Sequence, residues 1–162
     1  MLVRAGATCP YAAQPWFQHM FLGEYKHALD EKGRVSIPIK FRSALKVGAV
    51  VTRGLDSALV LYTAKEWNEL AAKLAALPIS QQNSRAFARL MLAGAMDVKI
   101  DKQGRVAIPE YLREYAGLKK NVVVAGLYNR LELWDETTWN KYKKKTEAES
   151  SVIAEQLGEL GI

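Results

Sequence analysis

Arg34 and Arg105 each stand four residues after an aspartate, Asp30 and Asp101, and each has a lysine close by, Lys32 and Lys102. A guanidinium is a planar fork that bonds two acceptors at once, either the O6/N7 edge of guanine or a phosphate. The lysines are candidate phosphate contacts, or simply exposed cations. The aspartates are expected to orient the loop or the arginine; the plainer alternative is that each Asp–Arg pair only holds a hairpin. These residues lie in a nine-residue stretch that occurs twice. Asp30-Glu31-Lys32-Gly33-Arg34-Val35-Ser36-Ile37-Pro38 returns 71 residues later as Asp101-Lys102-Gln103-Gly104-Arg105-Val106-Ala107-Ile108-Pro109, with six of nine positions identical. In this pattern the two arginines are read as DNA contacts.

The elements that position them follow from the same stretch. A polar turn, with Gly33 or Gly104 expected at positive φ, releases a short strand whose Val and Ile face inward while the arginine faces out. A proline then opens a helix, where its missing N–H costs nothing. The flanking sequence repeats in the same order. Residues 21–29 and Met96–Ile100 are leading strands, and Ile39–Leu45 and Glu110–Ala116 are short helices. Residues 49–53 and 58–62 form a hairpin about Gly54–Ser57. Val122–Val124 and Leu131–Trp134 form its counterpart about Gly126–Asn129. Thr63–Glu66 is a capping box for a helix running to Pro78, and Asp135 is placed to cap another. Between the halves, Ser80–Gly94 reads as a helix with Phe87, Leu90 and Met91 on one face. After them come the lysines of 141–145, read as a solvated helix end or a phosphate grip, and a helix from Thr146. Trp67, Trp134 and Trp139 are expected in the core.

Each half has about fifty residues, too few to bury a comfortable core alone. Two copies packed about a pseudo-two-fold axis share one core and present two basic loops on one side. Duplicated reading elements suit DNA, whose groove recurs every helical turn.

Composition narrows the class. Of 162 residues, 49% are hydrophobic and 25% charged, as in a globular protein. The net charge of +6 and pI of 9.4 fit a polyanionic partner. A lone Cys9 excludes an internal disulfide and a cysteine-rich metal site. No apolar run is long enough to span a bilayer, and the N-terminus lacks a secretory h-region, so a cytoplasmic protein is expected. Residues 1–19 have no strand or helix period and are read as upstream of a true start at Met20, with a disordered arm as the alternative. His19 and His27 are too few and too poorly spaced for a metal. No nucleophile elbow, P-loop or dinucleotide fingerprint occurs. No enzyme, cofactor or metal is expected.

Gly-Arg-Val-x-Ile-Pro after an aspartate, twice in one chain, resembles the SpoVT–AbrB superfamily. The duplication and the opening Phe21-Leu22-Gly23-Glu24-Tyr25-Lys26-His27 are similar to the MraZ family, from Met20 to about residue 145. The resemblance implies an α+β fold of two tandem swapped-hairpin units forming a pseudo-two-fold β-barrel with flanking helices. The units would be 24–66 and 95–138, joined by linking helices at 67–94 and followed by a helical tail at 139–162. It implies a repressor of the division and cell-wall gene cluster that binds short direct repeats in its own promoter as a ring, associated with the nucleoid. It adds Arg42 and Arg113 as second DNA-binding positions. A further basic position is filled by His27 in the first half but by Val98 in the second, so the halves are not strictly equivalent. A ring-forming scaffold with incidental DNA affinity is the alternative. An antitoxin-like binder is disfavoured by the duplication.

Overall fold

The computed structural model describes residues 20–161; the expectation for residues 1–19 lies outside them. Eight strands and six α-helices occur among the described residues, giving an α+β architecture. The first half contains β1 (Phe21–Ala28), β2 (Arg34–Ser36), α1 (Ile39–Leu45), β3 (Ala49–Arg53), β4 (Leu59–Thr63) and α2 (Ala64–Ala75). α3 (Gln82–Ala88) and a π-helical turn (Arg89–Ala93) lead to the second. There follow β5 (Met96–Val98), β6 (Arg105–Ala107), α4 (Glu110–Tyr115), β7 (Asn121–Tyr128), β8 (Arg130–Asp135), α5 (Glu136–Ala148) and α6 (Ser150–Leu157).

Six strands form an antiparallel sheet in the order β1-β7-β8-β4-β3-β5, and β2 pairs with β6 in a separate ladder. The leading strands cross over. β1 pairs with β7 of the second half, and β5 pairs with β3 of the first. The small ladder is centred on Val35 opposite Val106, the same residue of each copy. The β4–β8 ladder pairs Val60 with Glu132, again equivalent places once the one-residue insertion is counted. A local two-fold requires this registration in both ladders. The six-strand order ends at β1 and β5.

The main core fills the space between the sheet, the β2–β6 ladder and helices α1 and α4. Val35, Ile37, Val106 and Ile108 enter it from the motifs, Phe41 and Leu112 from the helices, and Leu59, Leu61, Leu131 and Leu133 from the sheet. Each such side chain contributes roughly 1.5–3 kcal/mol by leaving water. Both halves supply residues, so neither has a core of its own. Two smaller clusters cover the sheet elsewhere: Val60, Tyr62, Leu74 and Met91 with Trp67 against them, and Ala58, Val123 and Trp134 with Trp139. Trp67, Trp134 and Trp139 are packing groups.

Local caps follow the residues. The Thr63 side chain accepts from the Glu66 N–H at 3.2 Å, and Asp135 from the Thr138 N–H at 3.4 Å. Three expectations need correction. The counterpart hairpin turns only at the end of the expected Gly126–Asn129 stretch: β7 runs on to Tyr128 because β1 pairs along its whole length, and the chain reverses at Tyr128, φ 65°, and Asn129. The segment 80–94 is not one regular helix. The π turn adds a residue to the repeat and rotates the face, so Met91 is buried while Phe87 is 40% exposed. The last helix starts at Ser150 rather than Thr146, and the lysines of 141–145 lie inside α5. Among them, Lys143 binds Glu24 at 2.7 Å. No helix among the described residues is long and apolar enough to cross a membrane.

Candidate functional site

Each motif loop is built by its aspartate. Asp30 Oδ1 accepts from the N–H groups of Lys32 and Arg34, both at 2.9 Å, and Oδ2 accepts from Arg34 Nε at 2.7 Å. Asp101 does the same with Gln103, Arg105 and Arg105 Nε, each at 2.9 Å. One carboxylate therefore closes the turn and holds the guanidinium, so orienting the loop and orienting the arginine are one act. Gly33 and Gly104 complete the turns at φ 74° and 79°, and their N–H groups donate to Asp30 O and Asp101 O at 3.0 Å.

The same contacts set the charge. The Arg34 N–H, opposed in part by burial and assisted by the Arg34 side chain, holds the Asp30 carboxyl below the usual aspartate range; Arg105 does this for Asp101. A carboxyl whose pKa is lower folded than unfolded adds stability above its unfolded value and loses it as pH falls through the folded one. Amide resonances of Gly33 and Gly104 are accordingly expected to hold from neutral pH down to the ordinary aspartate range. They should shift together below it. Movement of either glycine between pH 7 and 5 contradicts this account.

The β2–β6 ladder sets where the arginines point. Val35 and Val106 face the core, so Arg34, opposite Ala107, and Arg105, opposite Ser36, share the outer face. Their side chains are 28% and 25% exposed. Arg105 also reaches across the two-fold, its terminal nitrogen 3.7 Å from Asp30 Oδ2. The loops are further locked by reciprocal bonds, Ile37 N–H to Gly104 O and Ile108 N–H to Gly33 O, both 2.8 Å.

Arg42 and Arg113 come to the loops from the opposite halves. Arg42 of α1 lies over Gly104, where a Cβ would overlap its Nε and Cζ, and Arg113 of α4 lies over Gly33, 2.7 Å from where a Cβ would stand. Arg42 Nε donates to Ile37 O at 2.8 Å, whereas Arg113 Nε is buried without a hydrogen-bond partner. Lys32 and Lys102 are exposed near the loop tips. Burial first, and then the Arg42 charge, hold His27 below the ordinary histidine value. Sequence reasoning missed this crossing of arginines and also Lys46, which shares a depression with Arg42 and Lys102. Lys46 lies outside the repeated stretch, and only the exchange of elements between halves brings it to the second loop. No group of three metal-ligating side chains occurs among the described residues.

Comparison with known proteins gives a consistent picture. The family model described as MraZ protein, antitoxin-like, matches residues 20–90 and again 91–158. The chain is similar to proteins named transcriptional regulator MraZ. It is 48% identical to that of Acetivibrio thermocellus, 50% to that of Halothermothrix orenii and 43% to that of Natranaerobius thermophilus. Each match spans 143 residues, 88% of this chain and 100% of the relative.

Proposed function

The chain belongs to the MraZ family, and we propose that it is a sequence-specific DNA-binding transcriptional regulator. In the finer reading it is a nucleoid-associated repressor of the division and cell-wall gene cluster, binding short direct repeats in its own promoter as a homo-oligomeric ring. The units 24–66 and 95–138 are its tandem modules, wrapped as a swapped-hairpin barrel with the β2–β6 ladder on the DNA side. Arg34 and Arg105 address the DNA, Lys32 and Lys102 meet its backbone, and Arg42 and Arg113 are second DNA-binding positions, each lying over the loop of the opposite half. The observation that carries this reading is the pair of arginine forks on one outer face, each held by a carboxylate and related by a local two-fold. Preorganised forks lose little freedom on binding. In a ring, each further module binds at high effective concentration, so modest contacts multiply.

A second reading, a ring-forming scaffold, draws on exposed apolar side chains such as Ile39 and Val47, 80% and 91% exposed. A mobility-shift titration separates the two. The probe is the duplex immediately upstream of the gene, with random duplex as competitor and salt varied. A specific regulator keeps its complex against the competitor and loses affinity as salt rises. A complex that random duplex removes at equal mass rejects the regulator reading in favour of the scaffold.

A further inference from the structure

The duplication supplies an internal control, because each side chain beside one motif loop has a counterpart beside the other. The second loop meets α1 in a depression of about 310 Å³ lined by Arg42, Lys46, Ile100, Asp101, Lys102 and Gly104. Three cations stand in its wall. Its one carboxylate already accepts from two backbone N–H groups and from Arg105. At the corresponding places around the first loop the sequence has Arg113, Gly117, Leu29, Asp30, Glu31 and Gly33. Lys46 has become Gly117 and Lys102 has become Glu31. The depression beside Arg113 is walled instead by Glu110 and Glu114, with Lys119. Those glutamates replace Ile39 and Ser43 of α1. The second loop therefore borders a basic notch, whereas the depression beside Arg113 balances Glu110 and Glu114 against Arg113 and Lys119, although the backbone hydrogen bonds around the two loops agree within a few tenths of an ångström.

We infer that the notch formed by Arg42, Lys46 and Lys102 grips a backbone phosphodiester of the bound DNA, and that the two motif loops are functionally unequal. This rests on the DNA-binding reading above and adds to it the half that holds the backbone. The counterpart depression has no net charge to draw a phosphate, so the first loop meets the duplex through Arg34 and the exposed Lys32 alone. Arg42 suits the notch because its Nε is spent on Ile37 O and its position over Gly104 is set. Lys46, exposed at the C-terminal end of α1, closes the other side.

The test measures affinity of the full-length protein for the upstream duplex as a function of salt. Lys46→Ala and Lys102→Ala are compared with Lys119→Ala, which removes the same charge from the depression beside Arg113. One released counterion lowers the slope of log affinity against log salt by about 0.9. At roughly 0.15 M salt that corresponds to about fivefold in affinity. Lys46→Ala and Lys102→Ala should each show both changes. Lys119→Ala should show neither, with melting temperature and particle size unchanged in all three. If Lys119→Ala loses as much as Lys46→Ala, or if Lys46→Ala binds like wild type, the inequality of the loops is wrong while the regulator reading stands. If the wild-type protein shows no salt-dependent binding, the regulator reading itself fails.

Discussion

Arg34→Ala combined with Arg105→Ala is expected to abolish specific binding to the upstream duplex while the protein stays folded. A well-placed bidentate arginine is worth roughly 1–3 kcal/mol against the wrong base. Two of them account for at least about thirtyfold per chain, and linkage between subunits enlarges the loss. The cost in stability is small because both guanidiniums lie on the outer face, about a quarter exposed. Truncation leaves Asp30 and Asp101 with the backbone donors that close their turns. Arg→Lys at the same positions separates fork from charge. It should keep the salt dependence and lose discrimination against random duplex. Equal affinity of the double alanine variant and the wild type for the upstream duplex, at matched particle size, removes these residues from the interface.

The arginine pair is legible in the sequence because the motif is local. Asp30, Gly33, Arg34, Val35 and Ile37 are close along the chain, and their turn, strand and outward arginine follow from a glycine at positive φ and a period of two. The hairpin 49–63 and the cap at Thr63 are legible for the same reason. Contacts between the halves are not. That Arg42 lies on Gly104, that Arg105 reaches Asp30, or that β1 joins β7 depends on residues about 60 to 100 positions apart, where neither propensity nor periodicity carries information. That His27 is desolvated beside Arg42 is likewise invisible along the chain. The inequality of the loops is present in the sequence as Lys46 against Gly117 and Lys102 against Glu31. It acquires meaning only once α1 is known to pack on the second loop rather than its own.

Gly126, which by its residue type belongs in a turn, gives the largest expected effect on the fold. It lies within β7 opposite Gly23. A Cβ there would stand 2.5 Å from Leu22 N and 2.6 Å from Phe21 C, backbone atoms that no rotamer change can move. Gly126→Val therefore has to push β1 away from β7. Overpacking of this kind costs about 3 kcal/mol, or roughly 6–12 °C in melting temperature for a chain of this size. β1 also leads directly into the Asp30 loop, and Leu29 N–H is tied to Lys120 O at 2.8 Å. Displacing the strand should loosen the first motif and weaken DNA binding along with stability. Hydrogen exchange should accelerate in residues 21–29 before it does in β4 and β8. Gly158→Ala, where an added Cβ meets nothing within 4 Å, is the matched control and should melt like the wild type. Should Gly126→Val melt there too, β1 cannot lie against β7 at that point, and the exchange of leading strands between the halves loses its support.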